Sequence, residues 1–528
     1  MAEQVDAKTL KPWLTDGAEI AFLDIREHGQ YGEGHPFFAV PMPYSRLESA
    51  AAMLLPCKTT RICLLDDGDA VAEQAADRLR ASGYTNLSIL AGGAPAWAAA
   101  GYTLFKGVNV PSKTFGELLE HELDTPRLGA EELHSLRSRD ESVVVLDGRS
   151  PAEFRKMSLP GAQSCPNAEL AYRLRMLVPD PSTTVVINCA GRTRSILGVE
   201  GLRLTDIENP LFALENGTQG WKLAGLALEH GQEPASLPSP DAGLLEMLAG
   251  RAQQLIRRHG LPLTSAEKLD DLLADPTRTT YLLDVRSAEE YAASHWPGAR
   301  HAPGGQLVQA TDQYVAVRNS RIVLSDDIGL RAATTAIWLK EMGHDVCLLD
   351  ADARQGAAHR TSPRGPSHDE AVRAFSAAAN GIGTILDASH SMAYRDAHIE
   401  GARWVTRPRL GTLDSVTSPI LVTGRDQPLI DGVATDLQAL GYSVRTCAGT
   451  PDVWRDAGHA VVSTPTEPPD EACIDYLFFV HDRHDGNLEA ARRYLAWETG
   501  LLGQLDEQER SVLRPGSSRA GHRTGLHA

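Results

Sequence analysis

Residues 143–149 read VVVLDGR, an apolar run that ends in an Asp-x-Arg triplet. Three further stretches resemble it, namely AFLDIR at residues 21–26, YLLDVR at residues 281–286 and, more weakly, ILDAS at residues 385–389. A second apolar run follows each one and reads ICLL at 62–65, VVIN at 185–188, IVLS at 322–325 and ILVT at 420–423. Short apolar runs rich in β-branched residues are typical of buried strands. The pattern indicates that the chain contains four repeats.

The spacing within the repeats is nearly constant. The Asp of the triplet lies 42 positions before the residue that follows the second run in three repeats, and 37 positions before it in the fourth. The pairs are Asp24 and Asp66, Asp147 and Cys189, Asp284 and Asp326, and Asp387 and Gly424. An Ala- and Leu-rich helical stretch follows each second run. This alternation predicts an α/β fold of four tandem domains, each an open, mainly parallel sheet flanked by helices.

A chain of 528 residues is too long for one hydrophobic core, and Pro- and Gly-containing stretches between the repeats predict the domain limits. The predicted domains are residues 1–106, 127–232, 261–356 and 370–460, followed by an extension at 461–528. We expect this extension to be helical near residues 487–510 and disordered from residue 516. Three repeats also close with a glycine followed by a tryptophan that we expect to be buried: Gly93 and Trp97, Gly217 and Trp221, and Gly449 and Trp454.

The composition limits the classes of function. A net charge of −18 opposes nucleic-acid binding, which requires clustered Lys and Arg. No stretch approaches the ~20 consecutive apolar residues of a membrane span, and the N-terminus lacks the features of a secretory signal. We therefore expect a cytoplasmic protein that binds neither nucleic acid nor membrane. The seven cysteines form no CxxC pairs, so each is expected to be a free thiol.

The second repeat places a cysteine in a loop that opens a helix. Residues 188–195 read NCAGRTRS. Backbone N–H groups, the positive end of the helix and two guanidiniums favour a thiolate, and such surroundings lower a cysteine pKa from about 8.5 toward ~3.5–7.5. Cys189 is the predicted nucleophile. The predicted anion-binding residues are Ala190, Gly191, Arg192, Thr193 and Arg194, and both arginine heads are expected to be hydrated.

The remaining candidates favour structural roles. Asp66, Asp326 and Gly424 stand at the position of Cys189, so the first, third and fourth repeats are predicted to be inactive, as scaffold, docking surface or site for an unknown ligand. The other six cysteines lack a cationic surround, and His295 and His398 are expected to be packing residues. A cluster in the extension is predicted to be a solvated loop rather than a metal site: His481, Asp482, His484 and Asp485. We predict no metal and no cofactor.

Together these motifs resemble the rhodanese family, and within it the bacterial four-domain thiosulfate sulfurtransferases. The matching features are the Asp-x-Arg strand end, the Pro-Gly-Ala turn at residues 160–162, the Cys189 loop and the closing Gly217 and Trp221. The resemblance implies that Cys189 takes sulfur from an anionic donor such as thiosulfate, holds it as a persulfide and passes it to cyanide or to a thiol, including a thiol on a protein. Common thiosulfate-using loops have Arg directly after the cysteine, where this chain has Ala190, so the donor stays open.

Two alternatives remain open at this point. Some phosphatases and arsenate reductases share this fold and use a Cys with an Arg, but their loop has five residues between the two. That position is Ser195 here, whereas Arg194 follows after four, which favours the shorter sulfur-selective loop. The non-enzymatic alternative is an interaction scaffold in which Cys189 has no catalytic role.

Overall fold

The computed structural model describes residues 2–139, 142–350, 366–481 and 487–517. Each of the first three repeats forms a five-stranded sheet in which the fifth, fourth and second strands lie between the first and third strands at the edges. The described strand pairs of these three sheets are parallel. The predicted α/β fold of tandem domains is confirmed. The two apolar runs of each repeat are its second and fourth strands, which are direct neighbours.

The fourth repeat has a similar arrangement. Its four parallel strands follow the same order without the first edge strand. A separate antiparallel pair joins His398–Ile399 to Val461–Val462.

The strands of the four repeats are as follows. In the first they are Glu3–Val5, Ala21–Asp24, Val40–Pro41, Ile62–Leu65 and Leu87–Leu90. In the second they are Arg127–Leu128, Val143–Asp147, Gln163–Ser164, Thr184–Asn188 and Leu211–Leu214. In the third they are Leu263–Thr264, Thr280–Asp284, Arg300–His301, Arg321–Ser325 and Asp345–Leu349. In the fourth they are Thr384–Asp387, His398–Ile399, Arg403–Trp404, Ile420–Gly424, Val444–Ala448 and Val461–Val462.

The helices cover the faces of the sheets. Those of the first two repeats are Ala7–Trp13, His28–Glu33, Leu47–Leu54, Val71–Ala81, Gly93–Ala99, Ala130–Ser138, Pro151–Lys156, Asn167–Leu177, Thr193–Arg203 and Gly217–Leu223. Those of the last two are Ala266–Ala274, Ala288–Ala293, Gly304–Gln309, Leu330–Glu341, His368–Ala379, Ser391–Asp396, Gln427–Ala439 and Pro451–Asp456. Short 3₁₀ helices lie at Tyr44–Arg46, Thr311–Gln313, Arg407–Thr412, Asp470–Ala472 and Gly500–Gln504.

Two stretches that the sequence indicated only as boundaries are helices, Val110–Leu123 and Ala242–Arg258. The first has Pro111 in its opening turn, where a missing N–H costs nothing. We call Val110–Leu123 the linker helix. The domain limits themselves stay a prediction.

In the stretch predicted to be helical, near residues 487–510, the extension has the helices Leu488–Thr499 and Glu507–Val512, and a further short helix at Phe478–His481 was not predicted. We call Leu488–Thr499 the C-terminal helix. The expected disorder from residue 516 falls largely outside the described residues, although the Gly516 N–H donates to the Glu341 carboxylate at 3.0 Å.

Apolar side chains from both faces of each sheet form the cores, and the closing tryptophans belong to them. Trp97, Trp221 and Trp454 are at most 3% exposed, so the structural role predicted for them is confirmed. The two histidines predicted to be packing residues also lie on aromatic rings. His295 and His398 stack on Tyr291 and Tyr394 at centroid distances of 4.1 and 3.7 Å.

The chain divides into two compact units. One contains residues 1–16, 20–108 and 361–480, and thus the first and fourth repeats. Within it, Arg407 of the fourth repeat pairs with Glu48 of the first at 2.6 Å. The other unit contains residues 17–19, 109–360 and 481–528, and within it Arg331 of the third repeat pairs with Glu169 of the second at 3.0 Å.

Candidate active site

Cys189 lies directly after strand Thr184–Asn188 and ahead of helix Thr193–Arg203. We call residues 189–194 the cysteine loop. The Thr218 N–H donates to the Cys189 carbonyl at 2.8 Å. This close approach requires a glycine, because a Cβ on Gly217 would lie 2.2 Å from the same carbonyl oxygen. The closing glycine therefore allows the following helix to pack on the loop.

The Asp-x-Arg triplet lies at the end of the neighbouring strand and bonds to the residue that precedes the cysteine loop. The Arg149 guanidinium donates to both oxygens of Asp147, at 2.9 and 2.7 Å, and both side chains are buried. The Asn188 side-chain amide also donates to Asp147, at 2.7 Å. A buried hydrogen-bonded network of this kind fixes the strand ends that precede the cysteine loop, although Asn188 Oδ1 has no partner among the described residues.

The Cys189 thiol is enclosed, with the residue 2% exposed. It donates to the Ser195 hydroxyl oxygen at 3.6 Å, and that hydroxyl donates to the Arg192 carbonyl at 2.7 Å. Burial raises the pKa of Cys189, while the Arg194 charge and the Ser195 hydrogen bonds act to lower it. The sequence-based expectation of a lowered pKa is wrong for this arrangement, because loss of hydration outweighs the nearby cation.

The two arginines of the loop are paired with carboxylates. Arg192 donates to Glu117 of the linker helix at 2.7 and 3.0 Å and also contacts Glu120. Arg194 donates to both oxygens of Glu153 at 2.7 Å. Each arginine is 9% exposed. The expectation that both heads are hydrated is wrong, since partners distant in the sequence enclose them.

The third repeat contains a carboxylate where the second has a thiol. Asp326 accepts the N–H groups of Arg331 and Ala332 at 2.8 and 3.2 Å, the N–H of Asp327 at 2.8 Å, and the Arg331 side chain at 3.1 Å. Four donors suit an ionised carboxylate. Burial raises the pKa of Asp326 and the charge of Arg331 opposes that rise.

The first repeat has the same arrangement in a simpler form. Asp66 accepts the N–H groups of Gly68 and Ala72 at 2.9 and 3.0 Å. Ala72 and Ala332 each lie six positions after the carboxylate, as Ser195 lies after Cys189. In the first and third repeats backbone N–H groups of the loop thus converge on a carboxylate, and we call this arrangement the anion cradle.

The comparisons with known proteins agree with these features. A family model of the rhodanese-like domain matches residues 6–100, 129–224 and 265–355. The crystal structure of a thiosulfate sulfurtransferase from Pseudomonas aeruginosa is 38% identical to this chain, covers 97% of this chain and 99% of its own, and has a TM-score of 0.86. The chain belongs to the rhodanese family of sulfurtransferases.

Two other solved structures are more distant. A rhodanese-related protein from Thermoplasma volcanium is 24% identical over 20% of this chain and 97% of its own, with a TM-score of 0.18. The wild-type structure of EanB is 15% identical over 66% of this chain and 95% of its own, with a TM-score of 0.23. No curated protein sequence matches the chain.

The other rhodanese repeats have no thiol at the position of Cys189. The fourth has Gly424 at this position. A Cβ there would lie 3.0 Å from the backbone nitrogen of Ser389, so the neighbouring backbone leaves little room for a side chain. All seven cysteines are free. Burial raises the pKa of Cys63 to about 12 and that of Cys347 to about 11.

Sequence reasoning missed the contribution of the C-terminal helix to the rhodanese loop. The Thr193 hydroxyl donates to Glu498 at 3.0 Å, across 305 positions of sequence. The sequence predicts a helix in this part of the chain, but it does not indicate which part of the protein that helix contacts.

Neither a metal site nor a membrane span is found in the described parts of the chain. Among residues 2–139, 142–350, 366–481 and 487–517, no group of three or more His, Cys, Asp or Glu is placed to hold a metal ion. The cluster predicted to be a solvated loop falls outside these residues at Asp482, His484 and Asp485, and the side chain of His481 is also not described. No helix in the same ranges is long and apolar enough to cross a membrane.

Proposed function

We propose that the protein transfers sulfane sulfur from an anionic donor such as thiosulfate to a thiol or cyanide through a persulfide on Cys189. The observation that carries the proposal is the anion cradle. In the first and third repeats the loop N–H groups converge on the carboxylates of Asp66 and Asp326. In the second repeat the corresponding position belongs to Cys189, and the donor that both carboxylate loops share, the N–H six positions on, belongs to Ser195, which acts on the Cys189 thiolate.

The first half-reaction begins with the Cys189 thiolate. Its sulfur forms a bond with the outer sulfur of the donor while the donor's S–S bond breaks, and sulfite leaves with the electron pair when the donor is thiosulfate. The terminal persulfide sulfur carries the negative charge, which the N–H of Ser195 and the charge of Arg194 stabilise. In the second half-reaction the acceptor attacks that terminal sulfur and Cys189 leaves as a thiolate.

The residues from 190 to 194 would then act on the donor. That Ala190, Gly191 and Thr193 supply backbone N–H groups around the sulfur stays a prediction, while Arg194 supplies the charge that acts on Cys189. Arg192 holds the loop to Glu117 of the linker helix, and its direct role in binding the donor stays a prediction.

The test is the release of sulfite from thiosulfate when no acceptor is present. We expect one sulfite per chain from the wild type and none from Cys189→Ser, because a serine hydroxyl is not ionised near neutral pH. Cys165→Ala is the matched control, since Cys165 is also buried in the second repeat. Sulfite release that survives in Cys189→Ser would contradict the proposal.

A further inference from the structure

The C-terminal helix places a carboxylate directly on the cysteine loop. Glu498 is 2% exposed and accepts the Thr193 hydroxyl on Oε1 at 3.0 Å. Its Oε2 lies 2.8 Å from the position that a Cβ on Gly191 would take. Tyr494, one turn earlier on the helix, lies 3.6 Å from the same position. Gly191 therefore leaves room for a charge supplied by another part of the chain.

This carboxylate is incompletely paired. Glu498 Oε2 is buried and has no hydrogen-bond partner among the described residues. Within those residues the cations of the loop are paired elsewhere, Arg192 with Glu117 and Glu120 and Arg194 with Glu153. A buried carboxylate oxygen without a donor is costly. Native structures keep few such groups, and a role in ligand recognition is one reason to keep them.

The charge of Glu498 acts on the reacting sulfur. Burial is the largest cause of the raised pKa of Cys189, and Glu498 adds to it, against the lowering by Arg194 and Ser195. The other charged groups that face the loop come from three elements. They are Glu117 and Glu120 on the linker helix, Glu153 on helix Pro151–Lys156, and Asp147 with Arg149 at the end of the neighbouring strand. Lys113 of the linker helix lies over the Trp497 ring of the C-terminal helix.

We propose that Glu498 is a specificity-determining residue that selects a sulfur donor with one negative charge, a thiosulfonate, over a dianion such as thiosulfate. This proposal rests on the proposed function. The repulsion between the carboxylate and the donor grows in proportion to the donor's charge. The loop arginines offset that repulsion only in part, because each already has its own carboxylate partner.

The step with a thiosulfonate balances in atoms and charge. The Cys189 thiolate bonds to the outer sulfur of R–SO₂–S⁻, the S–S bond of the donor breaks, and the sulfinate R–SO₂⁻ leaves with the electron pair. The persulfide and the sulfinate each carry one negative charge, so no oxidant or reductant is needed.

The first experiment compares a neutral and an anionic reagent at Cys189. Iodoacetamide and iodoacetate are applied to the wild type, to Glu498→Gln and to the control Glu489→Gln. The substitution Glu498→Gln keeps an acceptor for the Thr193 hydroxyl and removes the charge, whereas Glu489 lies on the same helix with its side chain 77% exposed. We expect the iodoacetate to iodoacetamide rate ratio to rise about 10-fold in Glu498→Gln alone.

The second experiment measures kcat/KM for benzenethiosulfonate and thiosulfate. We expect kcat/KM of the wild type to be higher for benzenethiosulfonate, the monoanion, than for thiosulfate. In Glu498→Gln the ratio of these two values should fall about 10-fold, mainly because the KM for thiosulfate is lower. Glu498→Asp keeps the charge and should keep the preference. A thermal melt of each variant checks folding.

The outcomes separate the two proposals. If both alkylating reagents reacted faster in Glu498→Gln by the same factor, the C-terminal helix would only restrict access to Cys189. If neither rate changed, the charge of Glu498 would not act on Cys189. In both cases the iodoacetate to iodoacetamide ratio would stay unchanged, and the proposed role of Glu498 would be wrong. If the wild type transferred sulfur from neither donor, the proposed function would fail, and the alkylation ratio would still decide whether Glu498 selects by charge.

Discussion

Arg192 and Arg194 lie two positions apart in the sequence but face different surroundings. Arg194 pairs with Glu153 and its charge lowers the pKa of Cys189 against the larger effect of burial. Arg192 pairs with two carboxylates of the linker helix. At the scale of single residues, we therefore expect the first to act on the chemistry and the second mainly to hold the loop.

Replacing Arg194 should weaken the use of an anionic donor. A charge-assisted hydrogen bond contributes about 1.5–3 kcal/mol, so Arg194→Ala should reduce kcat/KM for thiosulfate by about 10- to 150-fold. Loss of the cation removes an effect that lowers the pKa of Cys189, so the alkylation rate of this thiol should rise only at higher pH than in the wild type.

Arg192→Ala is the comparison. It should lower the melting temperature, because Glu117 is left buried without its cation, and it should move the alkylation profile less than Arg194→Ala does. Equal profiles for the wild type and Arg194→Ala would contradict the role given to Arg194.

The residues of the site could be predicted from the sequence only in part. The NCAGRTRS stretch identifies Cys189 and its cations because they are adjacent. It does not reveal Glu117, Glu153 or Glu498, which approach from separate elements. Charge and burial at Cys189 depend on these distant partners, which is why the sequence alone predicts a pKa shift in the wrong direction.

At the scale of elements, every repeat has a loop after its fourth strand, and the residues of this loop differ from repeat to repeat. In the third repeat Arg331 joins Asp326 of its own loop to Glu169 of the second repeat, at 3.1 and 3.0 Å. Asp66 of the first repeat accepts backbone N–H groups at 2.9 and 3.0 Å. The loops of the first and third repeats therefore have carboxylates that accept their own backbone N–H groups.

Removing these carboxylates should affect stability rather than turnover. Asp326→Ala leaves the fully buried Arg331 without one of its acceptors, and we expect a loss of about 1–3 kcal/mol in the free energy of unfolding. Turnover per folded chain should stay within about twofold. The measurements are a thermal melt and steady-state kinetics with thiosulfate.

Asp66→Ala is the matched variant and should cost less, since its partners are backbone N–H groups without a buried guanidinium. A drop in turnover beyond about twofold with either variant would show that a repeat predicted to be inactive takes part in the reaction.

The elements differ in how well the sequence predicts them. The central strands are continuous apolar runs because they are buried on both faces, and this signal is strong. The sequence did not predict the linker helix, because Pro111 and the polar residues before it are typical of a domain boundary. Proline is nevertheless well tolerated in the first turn of a helix.

At the scale of the whole molecule, the sequence predicts the number of repeats but not which repeats pack together in one compact unit. Arg407 and Glu48 are 359 positions apart and pair within one unit, while the second and third repeats share the other unit with residues 481–528 of the C-terminal extension. That extension brings Glu498 to the one loop with a thiol. The chain thus has four related loops, of which only the second has a cysteine at this position.

The central claim is that this position, Cys189, accepts sulfur from an anionic donor. The most direct test is mass spectrometry of the intact protein after incubation with thiosulfate and removal of excess reagent. We predict a gain of one sulfur atom per chain, located on the peptide that contains Cys189 and lost on treatment with cyanide or a thiol. No added sulfur, or sulfur on any of the other cysteines instead, would contradict the account.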